Sequence, residues 1–129
     1  MKTILCIDDE PAILRALQRD LSRHGRVLTA SGPAHGLSVL AQEPVSVVLS
    51  DFNMPGMDGL QLLHLMRKSY PQTVRIVLSG NEMDPQDESM ADAEVFRFLL
   101  KPWDRSELHQ TVERALSRAE PAALNEAMR

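Results

Sequence analysis

Three aspartates, Asp8, Asp9 and Asp51, a hydroxyl at Ser79 and an ammonium at Lys101 stand at the ends of four separate apolar runs. Gathered in one partly desolvated cleft, the carboxylates would repel, since at an effective dielectric near 20 two unit charges about 4 Å apart cost roughly 4 kcal/mol. Something positive must sit among them. A hard divalent cation with oxygen ligands answers that need, and Mg2+ suits a site with few carboxylates, spare water positions and an incoming phosphoryl group. Lys101 supplies a second, fixed positive charge. A carboxylate held against metal and ammonium can attack phosphorus in line, because those charges stabilise the equatorial oxygens of the transferring group. Asp51 would then become an acyl phosphate.

Such a cluster needs a frame that brings four segments to one edge. Five strand-sized apolar runs recur: Ile4 to Ile7, Val27 to Thr29, Val45 to Leu49, Val74 to Leu78 and Val95 to Leu100. They are mostly continuous rather than alternating, as parallel strands covered on both faces require. Helix-period segments fill the gaps. Pro11 opens the first, with Ile13, Leu14, Leu17 and Leu21 on one face before His24-Gly25, and Pro33 opens the second, carrying Leu37, Leu40 and Ala41. Asp58 with Gln61 reads as a capping box ahead of Leu62, Leu63, Leu65 and Met66. Asp104 with Glu107 repeats it before Leu108, Val112, Ala115 and Leu116. The fourth predicted helix, Gln86 to Ala93, is the weakest in apolar pattern.

Strands alternating with helices give a (βα)5 α/β architecture, a doubly wound five-stranded parallel sheet. Ligands bind such sheets beyond the carboxyl ends of the strands, near the switch in strand order. Asp8, Asp9, Asp51, Ser79 and Lys101 all fall there.

Asp8-Asp9, the stretch Leu49-Ser50-Asp51-Phe52-Asn53-Met54-Pro55-Gly56-Met57-Asp58-Gly59, Ser79-Gly80 and Lys101-Pro102 together resemble the signature of bacterial response-regulator receiver domains, the chemotaxis-regulator-like type. The match spans about residues 3 to 118. The resemblance implies a flavodoxin-like sheet of strand order 2-1-3-4-5 and a role in two-component signalling. It makes Asp51 the phosphoacceptor, Asp9 a direct Mg2+ ligand, Asp8 a second acidic ligand acting largely through water, and Asn53 a ligand through its backbone carbonyl. Ser79 would bond a phosphoryl oxygen and Lys101 would bridge to the phosphoryl group or, before phosphorylation, to Asp51. Pro102 would carry a cis peptide bond. Phe98 occupies the place of an aromatic that swings inward with Ser79, lacking the tyrosine hydroxyl. Asn53 and Asn81 would flank the path of the hydrolytic water.

The implied partners are a sensor histidine kinase or phosphotransfer protein and a downstream effector protein or fused output domain. A phosphorylation-dependent dimer through the fourth helix, fifth strand and last helix is among the arrangements the family uses. Asp92-Ala93-Glu94 replaces a glycine-containing turn found in many relatives. With Glu82, Asp84, Asp87 and Glu88 it makes that face acidic, which predicts a partner with basic residues.

Composition narrows the classes. The 129 residues suit one domain, residues 1–119, followed by a tail or the start of a linker helix over residues 120–129. Fourteen Lys and Arg against eighteen Asp and Glu leave no basic excess for direct nucleic-acid binding. No run reaches the length of a membrane span, and a cytoplasmic location is expected. The single cysteine, Cys6, reads as a small buried thiol, and His24, His35, His64 and His109 show no metal-ligand spacing.

Other readings stay open at this point. Asp8-Asp9 could merely cap the first helix. An aspartate-nucleophile phosphohydrolase would use a similar set, but needs an acid two positions after the nucleophile, where Asn53 stands. An unphosphorylated interaction module is a third reading. The run Phe96 to Asp104 is similar to receivers fused to cyclic-di-nucleotide phosphodiesterase domains, so the chain is expected to be the receiver part of a larger regulator, with a stand-alone regulator as the alternative.

Overall fold

A computed structural model describes residues 2–80 and 93–127, with side chains of the last helix through Ala119. Its elements are β1 (Thr3–Ile7), α1 (Pro11–Leu21), β2 (Arg26–Ala30), α2 (Pro33–Gln42), β3 (Val47–Asp51), α3 (Gly59–Ser69), β4 (Val74–Ser79), β5 (Arg97–Leu100) and α4 (Arg105–Ala127). All five strands are parallel, in the order β2-β1-β3-β4-β5. This is the doubly wound, flavodoxin-like sheet expected from the sequence. The fourth predicted helix falls on residues outside the described set, apart from Ala93, which is buried in the turn before β5.

The continuous apolar runs have a direct explanation. Successive strand residues point to opposite faces, so Ile4 and Cys6 of β1 enter one core layer while Leu5 and Ile7 enter the other. The first layer packs under Leu17 and Leu21 of α1 and Leu108, Val112, Ala115 and Leu116 of α4. The second packs under Leu40 of α2 and Leu62, Leu63 and Met66 of α3. Both faces of the sheet are covered, so both halves of a central strand are mostly apolar.

Helix starts follow the sequence signals closely. Prolines stand in the first turns of α1 and α2, where the missing N–H costs nothing. Asp58 Oδ1 accepts from Leu60 N at 2.9 Å, and Asp104 Oδ1 from Glu107 N at 2.9 Å. Two helix faces are narrower than their patterns suggested: Leu65 and Ala41 are exposed. In both helices the buried stripe is already filled by residues one turn away, so the extra apolar position rotates outward. Strands three and five each begin two residues later than their apolar runs, at Val47 and Arg97.

Trp103 anchors the start of α4 rather than standing free. Its indole Nε1–H donates to Asp20 Oδ2 at 3.3 Å, and Arg105 reaches Asp20 Oδ1 at 3.3 Å. Asp20 is almost wholly buried on α1, so this cluster ties α1 to the α4 start. Burial works to raise the Asp20 carboxyl, but the Trp103 bond, then Arg19 and Arg105, outweigh it and hold it below its usual range.

Candidate functional site

Register brings the polar residues into one row. Ile7 pairs with Ser50 and Asp51 with Leu78, so Asp8, Asp51 and Ser79 leave adjacent strands at the same rim. Ser79 pairs with Leu100, and Lys101 N donates to Ser79 O at 2.8 Å, which fixes Lys101 beside them. The Lys101–Pro102 peptide is cis. Asp8, Asp51 and Ser79 are buried, while Asp9, Glu10 and Asn53 face solvent. The site is therefore an open rim with a buried floor.

The floor is held by charge. Lys101 Nζ donates to Asp8 Oδ2 at 2.7 Å and lies 3.4 Å from Asp51 Oδ1. Asp8 Oδ1 accepts from Glu10 N at 2.9 Å, so Asp8 orders the chain entering α1 as well as binding Lys101. Asp8 does not cap α1, whose N-cap is Glu10 with no side-chain capping bond; it holds the turn that leads into the helix. Asp51 Oδ1 also accepts from Asn53 N at 3.3 Å. Burial pushes the Asp51 carboxyl above its usual range; Lys101 and the Asn53 N–H oppose the rise, and the Asp8 charge adds to it. Burial works to lower the Lys101 ammonium, but its bond to Asp8 and the Asp51 charge outweigh that and raise it. The lysine stays protonated. Cys6, beneath Asp8, is raised to about 12 by burial and then by the Asp8 charge, so its thiol is inert.

One oxygen each from Asp8, Asp9 and Glu10 lie within 4.8 Å of one another. All donors are hard oxygens, which fits Mg2+ in kind. Sequence reasoning passed over Glu10; its adjacency to Asp8-Asp9 at the first helix start was the available signal. Phe98 is half-buried on β5, opposite Val77, against the layer that includes Met54 and Val77. Asn81 lies outside the described residues.

The loop after Asp51 leaves little freedom. A Cβ on Gly59 would lie 2.2 Å from Phe52 O, so only glycine lets α3 start this close to the strand end. Gly56 has φ +97, a left-handed conformation that glycine adopts without a Cβ clash. By contrast, a groove of about 270 Å3 lined by Val45, Ser46, Tyr70 and Thr73 lies at the amino ends of β3 and β4. It is remote from the charged rim.

Two sequence readings change. The histidines show no metal-ligand spacing in the sequence, yet His24 Nε2 and His109 Nδ1 lie 2.7 Å apart. They come from segments 85 positions apart, so no local spacing marks them. Glu94, counted in the acidic face, is instead paired: Arg67 donates to its Oε1 at 2.8 Å, and Arg75 lies 3.9 Å from its Oε2. The other acidic residues of that face lie outside the described residues.

Known proteins give the same answer as the rim. The response regulator receiver domain family matches residues 4–113. The hydrogenase transcriptional regulatory protein HoxA of Cupriavidus necator is 39% identical over 116 residues, covering 88% of this chain and 24% of HoxA. The transcriptional regulatory protein GlrR of Escherichia coli is 38% identical over 120 residues, covering 92% of this chain and 27% of GlrR. This chain thus spans about a quarter of the length of either regulator. The signal receiver domain of an HD domain-containing protein from Pseudomonas fluorescens Pf-5 superposes with a TM-score of 0.83 at 34% identity, covering 93% of this chain and 98% of that one. With its five parallel strands in the order 2-1-3-4-5, the chain belongs to the response regulator receiver domains of two-component systems.

Proposed function

We propose that Asp51 accepts a phosphoryl group from a phosphohistidine of a sensor kinase or phosphotransfer protein, or from acetyl phosphate. The observation that carries this reading is Lys101 Nζ, 2.7 Å from Asp8 and 3.4 Å from Asp51 at the strand ends. In the reaction the P–N bond of the donor breaks as an Asp51 oxygen bonds phosphorus, and the imidazole leaves. Lys101, held protonated, offsets the charge on the transferring group. The Asn53 N–H holds the Asp51 carboxylate in place.

Mg2+ fits the acidic rim, where it would supply charge stabilisation to phosphoryl oxygens. Asp9 is exposed and free to offer an oxygen directly, whereas both Asp8 oxygens already accept hydrogen bonds, which favours contact through water. Asp51 and the Asn53 carbonyl complete the proposed ligand set, and Glu10 joins it as a further exposed carboxylate. The phosphorylated Asp51 would draw Ser79 inward, with Phe98 following, and shift the face around β5 and α4 toward its partner.

The chain acts in this proposal as the receiver part of a larger regulator and does not turn over a substrate. Its short span on HoxA and GlrR supports that arrangement, as does its likeness to the receiver domain of an HD domain-containing protein. The phosphohydrolase alternative loses support because Asn53, two residues after Asp51, offers an amide and no acid. Intact-mass measurement after incubation with acetyl phosphate and Mg2+ tests the proposal. One phosphoryl group on the parent and none on Asp51→Asn is expected. Lack of incorporation in the parent would leave only the unphosphorylated interaction module.

A further inference from the structure

The paired imidazoles on the α1 and α4 side are not used by any step above. His24 sits in the turn closing α1, its N–H bonded to Leu21 O at 2.9 Å, and His109 lies in the second turn of α4. Both are half-buried. The rings are 5.0 Å apart between centroids and tilted by 44°, with Nε2 of His24 and Nδ1 of His109 aimed at one another across 2.7 Å.

We propose that His24 and His109 form a two-imidazole binding site, completed by water, for a borderline transition-metal cation such as Zn2+ or Cu2+. Imidazole nitrogens suit these ions, whereas Mg2+ selects oxygen and belongs to the acidic rim. The geometry is close to what coordination needs. Two Zn–N bonds of about 2.0–2.1 Å at a tetrahedral angle place the nitrogens about 3.3 Å apart. The nitrogens must therefore move apart by about 0.6 Å from their 2.7 Å contact, and both rings must turn so that their lone pairs meet at one point off the line between them.

No net proton is lost. In the metal-free pair one contact nitrogen carries the shared hydrogen; on binding, that ring takes the tautomer with its hydrogen on the far nitrogen, and both contact lone pairs turn to the metal. The His24 imidazole is held below its usual range by burial, then by His109 and Arg23, against the opposing charge of Glu113. Its neutral form is therefore available near neutrality. A bound cation would staple the end of α1 to α4, the helix leading out of the domain.

The test is a Zn2+ titration of the full chain in saturating Mg2+, read by NMR at the imidazole ring protons. A saturable change at His24 and His109, absent at His35 and His64 and lost in both H24Q and H109Q, is the expected result. Copper electron paramagnetic resonance of the parent chain needs no variant and should display coupling to two imidazole nitrogens. An unchanged ring spectrum under Zn2+, or a response retained in H109Q, or a copper signal with oxygen donors alone, overturns the site.

Discussion

Replacing Lys101 by methionine removes the positive charge of the rim floor while keeping most of the side-chain bulk. At an effective dielectric near 20, the ammonium gains about 6 kcal/mol across 2.7 Å to Asp8 and about 5 kcal/mol across 3.4 Å to Asp51. Most of this gross attraction is offset by desolvation of the lysine and by the repulsion between the two carboxylates it bridges. Removing one partner of a buried pair costs about 3–5 kcal/mol, and the 15% exposure of the Lys101 side chain points to the lower end, about 3 kcal/mol. The loss should depend on pH. Asp51 is already raised in the folded chain, which therefore binds a proton more readily than the unfolded chain, so this group lowers stability as pH rises above the ordinary carboxylate range. Without Lys101 the folded value rises further. Urea unfolding in chelator should show the smallest deficit near about pH 5 and the largest near about pH 8. Added Mg2+ should then stabilise Lys101→Met more than the parent, because the ion meets unopposed carboxylates and binding to the folded state alone adds stability. A variant as stable as the parent at the higher pH, with the same response to Mg2+, would refute the charge argument.

Ser79→Ala should still label with acetyl phosphate but lose most of the phosphorylation-driven gain in partner affinity; an intact gain in a pull-down or titration calorimetry experiment removes Ser79 from the relay. Trp103→Phe deletes the donor to buried Asp20 and should cost about 1–3 kcal/mol in urea unfolding. Because the Asp20 carboxyl is held low, its stabilisation exists above the ordinary carboxylate range and is lost as pH falls, so this variant should begin acid unfolding at higher pH than the parent. Gly59→Ala drives a Cβ to within 2.2 Å of Phe52 O and should cost about 1–3 kcal/mol by thermal unfolding. It should also slow labelling, since Phe52 directly follows Asp51.

The sheet was legible because its signal is repeated. Each strand contributes a short continuous apolar run, and parallel strands covered on both faces admit nothing else; Ile4 and Cys6 going one way and Leu5 and Ile7 the other is that rule made visible. The rim was legible for a related reason. Once the strand order is 2-1-3-4-5, the residues at the carboxyl ends of β1, β3, β4 and β5 must stand side by side, so Asp8, Asp51, Ser79 and Lys101 needed no long-range contact to be guessed. Helix faces were less legible at their margins, where Leu65 and Ala41 fit the period but exceed the width of the buried stripe.

What escaped was pairing between elements that share no motif. Glu94 illustrates the physical reason. Its charge made it look like part of a repulsive acidic face, but its backbone φ of 50 places it in the left-handed region that favours glycine. That conformation needs support from outside the turn. Buried Arg75 supplies it from β4, donating to Thr73 O at 2.7 Å and Ala93 O at 3.1 Å, while Arg67 of α3 takes the Glu94 carboxylate. The carboxylate is accordingly held below its usual range by the Arg67 bond and charge. Arg75, the second residue of β4, and Glu94, three residues before β5, carry no shared motif, yet with Arg67 they form a side-chain clasp on the turn. Since that clasp fixes the chain where it enters β5, a partner reading the β5 side meets a neutralised corner at Glu94 rather than a continuous negative surface.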